Sequence, residues 1–316
     1  MRPRDPDRAA ERSRGRLIVM AAALDWLGCA TFRLTVEDLV VFLDAYLDRV
    51  PSAPTVGLTT GDVDRADWIV VGHSHFDHLW GAETIARNTG AKILGSYETV
   101  RVMQEQGIPS EQLLPVAGGE RVRLTPDVTV TAFPSQHSCV WSQTKMTDAD
   151  EVCIGDLGLT YQEQQARFAA LAEWFGSLDA DVQAHIGASY QGARGDGGAL
   201  VYVFETPAGS LFYQDTSGHW SGILRDLRPD VAILAAAGRG NVDGEPVQGS
   251  LAGFVARQAD LLRPRRVVLS HHDDWLPGFS NAIDAKPIRD ELARQSPRAE
   301  LVEMGYLEGY RLFDGV

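Results

Sequence analysis

The chain has 316 residues, with 29 Lys and Arg against 43 Asp and Glu and a formal net charge of −14 at pH 7. Hydrophobic residues make up 44% and charged residues 23%, a balance that supports a sizeable core and excludes a disordered chain, a collagen and a coiled coil. The acidity speaks against a general nucleic-acid binder, which needs surplus Lys and Arg to displace counterions from phosphates; a small phosphorylated substrate stays open, because a bound metal can dominate the local field.

Residues 1–16 hold six Arg, three acidic residues and two Pro, and read with the next three as a disordered extension over 1–19. Met20 stands as an alternative start. The apolar run Leu17–Leu24 after this basic stretch mimics a signal peptide, but Asp25 and Trp26 interrupt it and no small-x-small cleavage site leads into a polar start. Three widely spaced cysteines (Cys29, Cys139 and Cys153) form neither a disulfide framework nor a C-x-x-C clamp. They fit buried, reduced thiols and a cytoplasmic location. No apolar run approaches the ~20 residues of a membrane span.

Leu24–Thr35 and Leu39–Leu47 are apolar and β-branched, split by Val36-Glu37-Asp38, and predict a hairpin. Trp68–Val71 predicts a strand buried on both faces; it ends at Gly72 and runs into His73-Ser74-His75-Phe76-Asp77-His78. Gly81–Asn88 predicts a helix stopped at Gly90, Lys92–Gly95 a strand and Tyr97–Gln106 a helix. Strands follow at Arg121–Leu124 and Val128–Phe133, the second leading to His137. Ser138–Gly198 is irregular apart from a helix at Gln162–Phe175 with Phe168, Leu171 and Phe175 on one face. Leu200–Glu205 and Ser210–Gln214 form a hairpin, Val231–Ala235 a strand, Leu251–Leu262 a helix and Arg266–Leu269 a strand opening into His271-His272. Ala299–Glu303 and Tyr310–Phe313 close the chain.

Strands first, then strand–helix alternation twice over, is satisfied by an α/β (α+β) four-layer αββα sandwich of two mixed sheets with helices outside. One domain over 20–316, with an insertion at about 138–198, is the economical reading.

The chemistry concentrates in His73-x-His75-x-Asp77-His78. Four metal-capable side chains fall within six residues at the mouth of a buried strand, in a chain with only eight His. Imidazole and carboxylate suit zinc and similar ions. Residues two apart in a tight turn can point the same way, so His73 and His75 can grip one ion, and Asp77 and His78 can reach a second.

This hexapeptide resembles the signature of the metallo-β-lactamase fold hydrolases. The later features of that pattern follow in order: His137 after one strand, Asp215 in Gln214-Asp215-Thr216-Ser217-Gly218 after another, and His271 after a third. The resemblance implies that His73, His75 and His137 hold a first ion, that Asp77, His78 and His271 hold a second, and that Asp215 bridges them. His272 is the alternative final ligand, and otherwise a supporting or surface residue. Two divalent ions, zinc or alternatively manganese, would lower the pKa of a shared water toward ~7 and supply a metal-bound hydroxide. Asp77 would help orient that nucleophile or shuttle its proton.

Trp26-Leu27-Gly28-Cys29-Ala30-Thr31-Phe32 and Phe42-Leu43-Asp44 are similar to the branch typified by ascorbate-6-phosphate lactonase-like and N-acylphosphatidylethanolamine phospholipase-like proteins. Members there often carry His where this chain has Cys29, a departure that leaves the seven ligands of the pattern untouched. The implied function is hydrolysis of a small-molecule lactone, ester or amide. A phosphodiesterase or nuclease of the same fold is the alternative, opposed for nucleic acid by the negative charge. A non-catalytic metal-binding sensor or scaffold is the reading from another class. Iron redox chemistry is opposed by His75, where flavin-linked diiron members usually carry Glu.

Five further residues are candidate substrate contacts. His219, just after the Asp215 loop, is a proton donor or contact, against the plainer reading of a core or surface His. Trp141, Tyr190 and Trp275 flank the motif loops and line either a pocket or the core. Arg194, in the glycine-rich run Gly187–Gly198, is a candidate anion contact; that run has no Walker pattern and reads as a loop. His185 reads as structural, and Cys139 as a neighbour of the site that need not ligate. Homo-oligomerisation stays open.

Overall fold

The computed structural model describes residues 22–142 and 148–315. The expected extension 1–19, Met20 and residues 143–147 of the expected insertion lie outside the described residues.

The Leu39–Leu43 strand is buried at all five positions because both its faces are covered. Leu39, Val41 and Leu43 enter one hydrophobic cluster, while Val40 and Phe42 enter another with the helices. The Phe32–Val36 strand beside it alternates instead: Phe32, Leu34 and Val36 are buried and Arg33 and Thr35 are half-buried, the period-two pattern of a strand covered on one face. Val231–Ala235 repeats the two-sided pattern, with Val231 and Ile233 inward and Ala232 and Leu234 outward.

These strands build two seven-stranded sheets. In the first, the spatial order is Tyr310–Arg311, Ala22–Trp26, Phe32–Val36, Leu39–Leu43, Trp68–Val70, Lys92–Gly95 and Leu113–Pro115. The first three pairings are antiparallel, and those from Leu39–Leu43 onward are parallel. The second orders Glu300–Val302, Arg266–Ser270, Val231–Ala235, Gly209–Tyr213, Leu200–Thr206, Thr129–Pro134 and Arg121–Arg123. Its first three pairings are parallel and the rest antiparallel.

The sheets face each other across a core that includes Leu24, Leu34, Val41, Tyr202, Phe204, Tyr213 and Ile233. Helices Ala82–Thr89 and Tyr97–Glu105 cover the outer face of the first sheet, with Ile85, Val102 and Met103 against Phe42, Ile69 and Ile93. Helices Leu251–Leu262 and Lys286–Gln295 cover the second. This is the αββα sandwich that the element order implies.

Two local readings change. The expected opening hairpin is a three-stranded meander, because Gly28 (φ 81°) and Cys29 (φ 47°) turn the chain between Trp26 and Phe32. The stretch 138–198 is more regular than expected: a helix at Tyr161–Phe175 is followed by a second at Ala180–Ser189, and Cys153–Ile154 pairs with Gln248–Gly249. Phe168 lies exposed on the first of these helices, its ring 6.0 Å from Trp141.

Candidate metal centre

The parallel strands of both sheets deliver their C-terminal ends to one rim, and the chemistry collects there. The Trp68–Val70 strand is followed by Gly72, whose N–H donates to Asp44 Oδ1 at 2.9 Å. A Cβ at Gly72 would lie 2.0 Å from Asp215 Oδ2, so only glycine leaves room for that carboxylate. His73 follows, fully buried, with Nδ1 at 2.6 Å from Asp215 Oδ2 and Nε2 at 3.0 Å from His75 Nδ1. The short helix Phe76–Leu79 starts after His75 and places Asp77 and His78 on its first turn.

His78 Nδ1 donates to Asp44 Oδ2 at 2.6 Å, which leaves Nε2 facing Asp77 Oδ2 at 3.3 Å. His271 Nε2 approaches the same Asp77 oxygen at 3.2 Å. Nδ1 of His137 donates to the Ser138 carbonyl at 2.9 Å, and the rings of His73, His75 and His137 stand mutually 4.7 Å apart.

Three donor groups result, each with one ligand atom per residue within 4.8 Å of the others: His73, His75 and His137; His73, His78 and Asp215; and Cys29, Asp77 and His271. The fold thus gathers all seven residues of the sequence pattern and adds Cys29. His272 turns elsewhere and stacks on Trp26 at 4.4 Å, and burial lowers it to about 4. Cys29, Asp44 and His271 all sit at positive φ, at 47°, 55° and 60°, a conformation that costs a non-glycine residue roughly 1–2 kcal/mol.

Burial holds His73 and His75 well below the usual histidine range, and neighbouring imidazoles push the same way; burial also lowers His137. These rings are neutral, the form that can ligate. For His78 burial pulls down, but Asp77 and Asp44 outweigh it and hold the ring well above its ordinary value. Burial would raise Asp77, yet His78 and His271 hold it well below the usual carboxylate range. Burial raises Asp215, and it raises Asp44 to about 6. Asp215 Oδ1 is buried with no hydrogen-bond partner among the described residues. Neutral imidazoles, buried carboxylates and an orphaned acceptor are a donor set that fits divalent cations of the zinc type.

The weaker candidates scatter. Trp275 is buried with its ring edge-on to His271 at 5.2 Å. His219 is buried against Phe254 at 5.5 Å, in the cluster behind the second sheet. Tyr190 is exposed, its hydroxyl donating to the Ala193 carbonyl; Arg194 is anchored through its backbone N–H to Glu98. His185 shares a 2.7 Å hydrogen bond with the Tyr46 hydroxyl and helps dock the Ala180–Ser189 helix on Tyr46, Phe76 and Trp80. Cys139 is buried, its N–H donating to Arg239. Sequence reasoning overlooked Asp44 as a functional residue, although a carboxylate ending the apolar Leu39–Leu43 run was a visible signal.

Residues 40–169 match the model of the Beta-lactamase superfamily domain. The structure of Igni18, a metallo hydrolase from the archaeon Ignicoccus hospitalis, superposes with a TM-score of 0.59 over 92% of this chain and 97% of that one, at 16% identity. Residues 40–169 are thus similar to the β-lactamase superfamily domain, and the fold of the chain to that of Igni18. Among curated relatives, the UPF0173 metal-dependent hydrolase of Pyrobaculum neutrophilum is 32% identical over 113 residues, which are 36% of this chain and 49% of that protein. The chain therefore spans about half the length of the curated relatives it matches. CmlA, a diiron beta-hydroxylase from Streptomyces venezuelae, shares the fold at 14% identity and a TM-score of 0.54, covering 93% of this chain and 54% of its own. Likeness at such identities is likeness of fold, which hosts more than one chemistry.

Proposed function

We propose that this protein is a metal-dependent hydrolase that uses two divalent cations to cleave a small-molecule lactone, ester or amide. The observation that carries this reading is the convergence of three His/Asp-rich donor groups on one rim of the sandwich. His73, His75 and His137 would hold one ion, Asp77, His78 and His271 the other, with Asp215 between them. Divalent cations there supply Lewis acidity toward a carbonyl oxygen and make water nucleophilic near neutral pH.

The chain's own residues prepare the site. With a cation bound, Asp44 would keep the one remaining His78 proton on Nδ1, and the Ser138 carbonyl would do the same for His137, leaving both Nε2 atoms to ligate. Asp77, kept ionised by His78 and His271, offers an acceptor oxygen that can orient an attacking water. Trp275 and Phe76, with Tyr46 packed on both, form an aromatic wall beside His271, which would exclude water and suit an apolar substrate body. In this reading residues 20–316 form one hydrolase domain, and 138–198 is an insertion that completes the wall through Val182 and Ile186. The three buried cysteines suit a reducing cytoplasm.

The test is a panel of lactones, esters, amides and phosphodiesters, run with zinc- and manganese-loaded protein. Chelation should abolish turnover, and His75→Ala should lower kcat/KM at least about a hundredfold, since Lewis-acid stabilisation is worth several kcal/mol. Protein that binds two equivalents of metal and hydrolyses nothing in the panel would refute the hydrolase in favour of a sensor.

A further inference from the structure

The third donor group contains a residue outside the family pattern. The turn that carries Cys29 is closed by Leu27 N–H donating to the Thr31 carbonyl and Thr31 N–H donating to the Gly28 carbonyl, each at 2.9 Å. This turn is fastened to the loop that carries His271. The His271 N–H donates to the Cys29 carbonyl at 2.8 Å, and the Cys29 N–H donates to Asp273 Oδ1 at 3.0 Å. Asp273 is fixed in turn by Arg49 Nη2 at 2.8 Å and the Tyr306 hydroxyl at 2.6 Å. Three side chains, Asp273, Arg49 and Tyr306, thus hold the Cys29 backbone against the His271 loop, and Sγ falls in the group formed with Asp77 and His271. Cys29 is fully buried, and the polar contact of its Sγ is a weak one, 3.7 Å from the Asp77 carbonyl. Burial and the nearby Asp77 and Asp273 carboxylates push the Cys29 thiol up; a bound divalent cation would oppose that field, and the thiol proton would leave to solvent.

We propose that Cys29 is a thiolate donor to the cation position shared by Asp77 and His271, giving that position a mixed sulfur, nitrogen and oxygen donor set that favours zinc over manganese. The inference rests on the reading that cations occupy this centre. It makes the two positions unequal: the His73, His75 and His137 position carries no sulfur, whereas this one carries a soft ligand of the kind that selects zinc over harder ions.

X-ray absorption at the zinc edge of the full, zinc-loaded chain tests it. The wild type should show a sulfur shell at about 2.3 Å, and cobalt-loaded protein a thiolate-to-metal charge-transfer absorption. Both signals should vanish in Cys29→Ser. That variant should bind one of its two zinc equivalents at least about tenfold more weakly, with manganese affinity little changed, and Cys29→His should restore zinc affinity without the sulfur shell. Wild-type protein that binds two zinc ions with no sulfur shell overturns the inference, however the variants fold. A sulfur shell that persists in Cys29→Ser also overturns it, by assigning the signal to Cys139 or Cys153. Either result leaves the hydrolase reading standing, whereas a sulfur-ligated protein that turns over no substrate defeats that reading alone.

Discussion

Asp44→Asn isolates the contribution of one buried carboxylate that touches no predicted ion. Both its oxygens accept: Oδ2 from His78 Nδ1–H at 2.6 Å and Oδ1 from the Gly72 N–H at 2.9 Å. Asparagine has the same shape and tolerates the φ of 55°, but it has only one acceptor oxygen. Either the Gly72 N–H or the His78 Nδ1–H then faces an amide NH2. A buried donor left unpaired costs roughly 1–3 kcal/mol. The alternative is for His78 to move its proton to Nε2, which removes the lone pair facing Asp77. Both routes weaken one cation position, and the expected loss is about 10–100-fold in affinity. Competition titration against a chelator, resolving the two zinc equivalents, measures it; the equivalent at the His73, His75 and His137 position should be nearly unchanged. Metal-free stability should fall by up to about 1–3 kcal/mol if a donor is left unpaired, and little if the His78 proton moves. A folded Asp44→Asn protein with both zinc affinities intact would refute the role assigned to this residue.

Gly72→Ala should displace Asp215, since its Cβ would fall 2.0 Å from Oδ2 and 2.1 Å from Cγ; the cost is about 1–3 kcal/mol of stability and loss of at least one bound ion, checked by urea denaturation and elemental analysis, and an unchanged metal content would contradict it. His219 supplies a pH dependence. Burial lowers it from an ordinary 6.5 to about 4, so between those values the unfolded chain binds a proton that the folded chain does not. Its contribution is therefore full above the unfolded value and is lost as pH falls toward the folded one, amounting to about 2 kcal/mol at pH 5. Denaturation of wild type and His219→Gln in the same metal state should show the wild type losing that much more between pH 7 and pH 5; parallel profiles would rule it out.

The centre of each sheet was legible because strands covered on both faces read as unbroken apolar runs, as in Trp-Ile-Val at 68–70 and Val231–Ala235. The candidate donors stood out in the sequence because each group follows the end of a strand. The turn at Gly28 and Cys29 was hidden, since Leu27, Cys29 and Ala30 are apolar and buried and carry none of the polar residues that usually mark turns. The Ala180–Ser189 helix buries only Val182 and Ser189, and Lys286–Gln295 only Ile288 and Leu292, too few apolar positions for a periodic signal. Tyr190 and Arg194 looked like site residues because of their place in the chain, but solvent and backbone anchoring account for both. Asp44 and Cys29 matter through partners far along the chain, Gly72 and His78 for one and Asp273 for the other, and no local pattern announces such pairings.

The contacts at the rim join groups very distant in the chain: His73 meets Asp215 across 142 positions, and His271 meets Asp77 across 194. Cations clamped by both sheets would close those long loops much as a covalent cross-link does, and loops of that length are where closure gains most. Stripping the metal would then loosen the seam between the two sheets as well as silence the chemistry. Melting of the two halves should become less cooperative in chelator, each sheet keeping the helices packed on its own outer face.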